Sequence, residues 1–513
     1  MPKKKNMKRL FLYAFLLIAL QTQAQSDSIP SFVKDSIDGY IKKALTDWQM
    51  PGVAVCIVKN GKVILMKGYG VKELNSADKV DENSLFMIGS NTKAFTATAL
   101  AMLDIDKKIS LDDNVTKWIP QFKLNNKAAG EQAIIRDLLC HRIGFETFQG
   151  DFTYWTSNLS RSEVIEKMSH IKATHPFRTK WGYTNAAFVV AGEIIPAATG
   201  MQWEDFIKQK LFTPLGMSNT LALSKDFPNA SNKCSAHTLV DGKLIKIPFC
   251  SIDNLSAAGS IGSSVNDMSH WVMAQLNNGK YNDQQIIPAA AIAQTRFPHS
   301  ILGNGGYLYN TGHFSLYGLG WMLEEYCGKK IVSHTGGVNG FVSSVTLIPE
   351  EKLGIVVLTN TDANAFYEAL KWEIADAYLG KPYRNYSKVY ASFDKQEKIR
   401  QAATDKKMQD TVAMQIKTAL PLAAYCGSYT NEVYGDMNVL LEGNALKMKF
   451  SHHPNMYASL EALGQNRFYV TFSDPILGKA IFPFNVTNGK VTAATVKVAD
   501  FVERNAYEFK KIK

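Results

Sequence analysis

The 513-residue sequence predicts a chain of the α/β (α+β) class: an antiparallel sheet flanked by helices with a helical subdomain, plus a small C-terminal all-β barrel. Three observations carry this reading. β-rich runs lie at both ends of residues 25–381 and bracket a helical middle, so the economical arrangement is one antiparallel sheet built from both termini. Residues 382–420 are charged, rich in Lys, Gln, Asp and Ala, and lack a continuous apolar face. From Tyr425 the apolar runs are short and punctuated by Gly443-Asn444, Asp474-Pro475 and Asn488-Gly489, the spacing of a small barrel or sandwich.

In chain order, Lys3, Lys4, Lys5, Lys8 and Arg9 precede an unbroken apolar run from Leu10 to Leu20, followed by Thr22-Gln23-Ala24. A basic n-region, an apolar h-region and a small-residue cleavage site mark residues 1–24 as a signal peptide cut after Ala24. The run is shorter than the ~20 apolar residues that span a bilayer. The expectation is export, periplasmic or secreted, with no stable transmembrane anchor. Across residues 31–49, Ile37, Tyr40, Ile41, Ala44, Leu45 and Trp48 recur at helical spacing, and Pro51-Gly52 ends the helix. Val53–Lys59 and Lys62–Tyr69 flank Asn60-Gly61, a hairpin signal. Helical runs dominate from Ser90 to Met217 and from Val265 to Asn277. Strands are expected at Leu316–Glu325, Lys330–His334, Phe341–Ile348 and Leu353–Thr359, and a helix at Ala363–Tyr378 closes the unit. The division is therefore a leader (1–24), a catalytic unit (25–381), a linker or connecting helix (382–420) and a barrel (421–513).

The formal charge of +11 invites a polyanion-binding reading until it is divided by segment. The leader carries five of those charges, residues 382–420 four and residues 421–513 two, so the catalytic unit is net neutral. With no basic stripe, nucleic acid is not an expected partner. A composition 46% hydrophobic and 20% charged excludes a wholly disordered or collagenous chain. The six cysteines are widely spaced without C-x-x-C or zinc spacing, so no metal is expected. Cys56, within an apolar run, reads as a buried thiol. Cys234 and Cys250 flank a loop and could pair in an exported chain. His452-His453 reads as a solvated hairpin rather than a metal pair.

A Ser-x-x-Lys spacing places both side chains on one helical face, where a neutral lysine can take the serine proton. The chain holds five such spacings, at Ser31–Lys34, Ser76–Lys79, Ser90–Lys93, Ser169–Lys172 and Ser392–Lys395. Only Ser90-Asn91-Thr92-Lys93 follows a strand-like stretch ending in Gly89 and opens a strongly apolar helix. Its serine sits where a helix N-terminus favours developing negative charge. A lysine among Ala94 and Phe95 is costly unless neutral or paired. Tyr183-Thr184-Asn185 opens a second apolar helix; a tyrosine beside a lysine can relay a proton and an asparagine amide can hold a substrate carbonyl. The Tyr429–Asn431 copy of that spacing lies in the all-β tail and reads as decoration. His334-Thr335-Gly336-Gly337 occurs once; its glycines would let a substrate backbone approach a strand.

The order Ser-x-x-Lys, Tyr-x-Asn, His-Thr-Gly resembles the serine β-lactamase and penicillin-binding protein superfamily. More narrowly, residues 30–380 resemble class C β-lactamase-related D-alanyl-D-alanine carboxypeptidases and esterases. Pro51-Gly52-Val53-Ala54-Val55, Gly68-Tyr69-Gly70, Ile135-Arg136-Asp137-Leu138-Leu139 with His141, and Pro214-Leu215-Gly216-Met217 share in it. The resemblance implies a β-lactamase/transpeptidase-like fold, with Ser90 as acylated nucleophile, Lys93 as its base and Tyr183 as the second acid/base. It implies substrate binding by Asn185, His334, Thr335 and Gly336, and an oxyanion hole from the backbone N–H groups of Ser90 and Gly337. His334 departs from the usual lysine of that motif, a change the resemblance associates with esterases and peptidases. If it acts as a cation, it does so only below about pH 6.5. Arg142, in Cys140-His141-Arg142-Ile143-Gly144, reads as structural. The tail, through Tyr425, Gly427, Tyr429, Tyr434 and Gly435, resembles a lipocalin-like barrel found after such domains, which can shape substrate access or mediate homo-oligomerisation.

The expected function is an exported serine hydrolase acting through an acyl-enzyme, foremost a D-amino-acid-type peptidase, with no cofactor and a small peptide, ester or β-lactam as substrate. An esterase or weak β-lactamase of the same family is the near alternative. A penicillin-binding sensor without turnover is the alternative from another class.

Overall fold

A computed structural model describes residues 28–512 except Tyr307, Asn310 and Thr311; the expected leader lies outside the described residues. The strand Gly52–Lys59 shows how the sequence makes a two-faced sheet. Val53, Val55 and Ile57 face one side and Ala54, Cys56 and Val58 the other, and all six are buried. The first set shares a core with Ile41 and Trp48 near the N-terminus and Leu370 and Trp372 of the helix Phe366–Tyr378. The second set joins the core of the helical middle, including Met268 and Val272 of the helix Val265–Leu276. Burial raises the Cys56 thiol to about 12, as its place in an apolar run implied.

Eight antiparallel strands follow in the order Lys62–Gly70, Gly52–Lys59, Leu353–Thr359, Phe341–Ile348, Lys329–Val338, Met322–Tyr326, Ser315–Tyr317, Ser300–Gly303. Both chain ends of the catalytic unit thus enter one sheet. Asn60 and Gly61 have φ of 52° and 73°, as the tight hairpin between the first two strands requires. The N-terminal helix begins as a π-turn, Phe32–Ser36, and continues as an α-helix, Ile37–Asp47.

Four local expectations are corrected. The run Leu316–Glu325 is two strands, because Gly318-Leu319-Gly320 bends away to pack on the helix Thr92–Ile105. A Cβ at Gly320 would lie 2.6 Å from the Lys93 carbonyl oxygen. His-Thr-Gly lies within the strand Lys329–Val338 rather than at its end, since the glycines keep pairing with the neighbouring strand: Gly336 is opposite Ser343 and Gly337 opposite Val342. Cys234 and Cys250 are both buried free thiols, the latter with Sγ 3.9 Å from Met87 Sδ. His453 is not solvated: it is 4% exposed and stacks on Phe152 of the catalytic unit.

Residues 386–413 form one helix, Tyr386–Ala413, about 42 Å long at 1.5 Å per residue. Beyond its first turns, where Tyr386, Tyr390 and Ala391 join the core, it is largely polar and is braced by Lys398–Asp394 and Lys406–Asp410 pairs. The eight strands from Gly427–Asn431 to Tyr507–Lys511 close into a barrel. Period-two alternation sends Met437, Val439, Met448, Phe450, Phe482 and Phe484 inward. Tyr425, Tyr429, Phe468 and Phe484 contact one another edge-on, so the interior is packed side chain. Among the described residues, no helix is long and apolar enough to cross a membrane, and no group of three or more His, Cys, Asp or Glu side chains is placed to hold a metal.

Candidate active site

Ser90 lies in a single 3₁₀ turn, Gly89–Asn91, that runs directly into the helix Thr92–Ile105. Backbone-on-backbone packing sets this turn against the strand Lys329–Val338. A Cβ at Gly336 would lie 1.9 Å from Ile88 O, and one at Gly89, whose φ is +53°, would lie 2.8 Å from Gly337 N. Asn91 Nδ2 donates to Ser343 Oγ at 2.8 Å, and Ser343 Oγ donates to Ile88 O at 2.7 Å, pinning the turn from the far side. Ser90 itself remains partly accessible.

Lys93 follows one turn later and is fully buried. Its Nζ lies 3.1 Å from Ser90 Oγ, 2.7 Å from Asn185 Oδ1 and 2.9 Å from the Ala258 carbonyl oxygen, over the ring of Tyr183 at 4.7 Å. Burial brings it down to about 7, with Asp151 pulling weakly the other way. Tyr183 reaches Ser90 through its hydroxyl; burial raises the phenol strongly, so it is a protonated donor at neutral pH. The His141 ring lies tilted against that of Tyr183, centroids 4.4 Å apart, and accepts the Thr184 N–H at Nδ1, fixing the entry to the helix Asn185–Thr199. Burial and the Lys93 charge keep His141 neutral.

Asn185 gives its carbonyl to Lys93 and donates from Nδ2 to Asp151 Oδ2 at 2.6 Å. These contacts fix which way the amide points. His334 is buried between Tyr317 and the backbone: Nδ1 donates to the Thr335 carbonyl at 2.6 Å, and Nε2 lies 2.9 Å from the Tyr317 hydroxyl. A carbonyl only accepts, so Nδ1 carries the proton and Tyr317 donates to Nε2. Burial and Lys93 depress His334 to about 3. A cationic role for this histidine below pH 6.5 therefore does not fit its surroundings. Thr335 and Gly337 share the more open face of their strand. Arg142 is structural, its Nε 2.5 Å from the buried Asp137 carboxylate.

Ser90, Lys93, Tyr183, Asn185 and the His334–Gly337 strand thus converge on one place. Sequence reasoning missed Asp151 and Tyr317, which carry no local pattern, and the particular barrel residues that reach the site. From the barrel, Phe501 lies over Gly337, where an added Cβ would be 3.1 Å from its ring, and edge-on to Trp155. Arg504 lies over Phe148, which contacts Tyr183.

The sequence profile of the β-lactamase family matches residues 37–379 and so contains Ser90, Lys93, Tyr183, Asn185 and His334. The chain belongs to the β-lactamase family. A second profile, a domain of unknown function (DUF3471), matches residues 413–511. The unguisins hydrolase ungD of Aspergillus violaceofuscus is 27% identical over 505 residues, covering 93% of this chain and 86% of that protein. The octameric penicillin-binding protein homologue from Pyrococcus abyssi superposes with a TM-score of 0.61 at 20% identity, covering 93% of this chain and 99% of its own. A D-stereospecific amidohydrolase from Streptomyces superposes with a TM-score of 0.51 at 21% identity, covering 63% and 94%.

Proposed function

We propose that this protein is an exported serine hydrolase that cleaves amide bonds in small D-amino-acid-type peptides through an acyl-enzyme on Ser90. The observation that carries the proposal is the donor–acceptor count at Lys93. A neutral amine has two hydrogens and one lone pair. Asn185 Oδ1 and Ala258 O can only accept, so they take both hydrogens. The lone pair is then left for Ser90 Oγ, 3.1 Å away. A buried lysine with pKa about 7 is neutral often enough to act as a base.

In the proposed reaction Ser90 Oγ passes its proton to Lys93 and bonds to the substrate carbonyl carbon. The oxyanion is received by the Ser90 and Gly337 N–H groups. On collapse the carbon–nitrogen bond breaks, and the leaving amine takes a proton from Tyr183, which recovers one from Lys93. Water then attacks the ester, giving its proton back along the same path, and Ser90 is released. One relative's name, D-stereospecific amidohydrolase, supports an amide substrate, and another's, unguisins hydrolase, supports hydrolysis. The expected leader supports export. A second reading, esterase, is favoured by His334: as a neutral residue it offers no cation to a substrate carboxylate, which β-lactams and carboxypeptidase substrates carry.

The test is a panel of D- and L-amino-acid p-nitroanilides, short p-nitrophenyl esters and a fluorescent penicillin, with intact-mass readout. Wild type should turn over D-amides or esters and carry a Ser90 adduct that Ser90→Ala lacks. An adduct surviving in Ser90→Ala, or neither turnover nor label in wild type, would sink the proposal. A stable label without any turnover would favour a sensor.

A further inference from the structure

The barrel sends one buried carboxylate into the catalytic unit. Glu503 is fully buried and stands where the two units meet. Its Oε1 accepts the Gly150 N–H at 2.6 Å and its Oε2 accepts the Phe152 N–H at 3.1 Å. The hydroxyls of Tyr434 (2.8 Å) and Tyr507 also donate to it. Four donors and no acceptor surround this group and favour its carboxylate form, against the burial that raises it to about 7. The two N–H groups it holds flank Asp151, whose Oδ2 takes the Asn185 amide at 2.6 Å. Asp151 Oδ1 has no hydrogen-bond partner in the structure. The opposite end of the Asn185 amide holds Lys93.

We propose that Glu503 is a positioning residue for hydrolysis, clamping the 150–152 turn so that Asp151 seats Asn185 and, through it, Lys93. The inference rests on Lys93 being the base. It makes the barrel part of the catalytic apparatus by a route separate from any contact with substrate.

The chain of contacts has an electrostatic sign. Asp151 faces Glu503, Tyr154, Asn185 and Lys93, while Lys93 also faces Tyr183, His141 and His334. Burial, then the Glu503 charge, raises Asp151 toward its neutral form. A neutral Asp151 does not stabilise the Lys93 ammonium; an ionised one does. Removing the Glu503 charge should make Asp151 easier to ionise and so raise Lys93, whereas Asp151→Asn, which keeps that position neutral, should not raise it.

The experiment measures kcat/KM against pH for full-length wild type, Glu503→Gln and Asp151→Asn, using p-nitrophenyl acetate and whichever D-amide wild type accepts. The wild-type acidic limb is expected near pH 7. In Glu503→Gln it should move up by about half a pH unit or more, and in Asp151→Asn it should stay at or below the wild-type position. On the plateau kcat should fall with KM little changed. A Glu503→Gln limb that stays put, or an Asp151→Asn limb that moves up with it, would overturn the inference. If Glu503→Gln does not fold, as judged by melting, Asp151→Asn decides alone: a limb above that of wild type, or a plateau kcat equal to it, contradicts the proposal. Failure of the base assignment itself looks different, because wild type would then show no limb near pH 7.

Discussion

The catalytic unit and the barrel both bury large apolar cores, yet they treat buried polar groups in opposite ways. The barrel's interior is aromatic and aliphatic, with Tyr425 and Tyr429 satisfying their hydroxyls near its end, on Asn466 Oδ1 and on the Tyr425 carbonyl. The catalytic unit buries Lys93, His141, Asp151, Asn185 and His334 close together. Buried ionisable groups cost stability unless neutral or paired, so such a cluster marks where the fold is spent on chemistry. Glu503 is the barrel's counterpart, and it lies at the boundary with the catalytic unit. The difference shows that one region is built for packing and the other for poising protons.

Substitutions can break that contrast. The largest effect belongs to Lys93→Met, which preserves bulk but removes the amine: kcat/KM should fall by roughly a thousandfold or more while the melting temperature holds or rises. Unchanged activity in steady-state assays would remove Lys93 from the reaction. In the barrel, Phe484→Ala should lower unfolding stability by about 3–5 kcal/mol with the catalytic residues untouched, measured by denaturant titration. A change below about 1 kcal/mol would mean that the barrel core is not packed as described.

Two histidines sharpen the comparison by pH. Burial holds His453 at about 4 in the folded chain against about 6.5 when exposed. The unfolded chain therefore binds the extra proton first, and stability is lost as pH falls from about 6.5 toward 4. His453→Gln should flatten that part of a stability–pH curve, and a slope identical to wild type would contradict the burial argument. The smallest effect concerns His334. Being neutral above about pH 3, it should leave the ratio of rates on carboxylate-bearing and neutral substrates constant between pH 5 and 8. A ratio rising below pH 6.5 would restore a cationic role.

Much of the fold was legible because hydrophobic periodicity is a local property. The Asn60-Gly61 hairpin and the strands Phe341–Ile348 and Leu353–Thr359 appear with the bounds their runs suggest. The break at Gly318–Gly320 was not, because its cause is the Lys93 carbonyl, far away in sequence. The same holds at the site. Ser90, Lys93, Tyr183 and Asn185 announce themselves by spacing and by the helices they open. Asp151, Tyr317 and Glu503 owe their roles to residues up to 353 positions distant, and no window of sequence contains both partners. The neutral state of His334 was equally hidden, since it follows from burial and from the Lys93 charge rather than from the residue type.

The central claim is that Ser90 is activated by a buried, neutral Lys93. The most direct measurement is the rate of Ser90 acylation by the fluorescent penicillin, followed by intact mass and peptide mapping from pH 5 to 9. The account predicts a single adduct on the peptide bearing Ser90, formed at a rate that rises with pH through one ionisation near pH 7. A pH-independent rate, or an adduct on any other peptide, would contradict it.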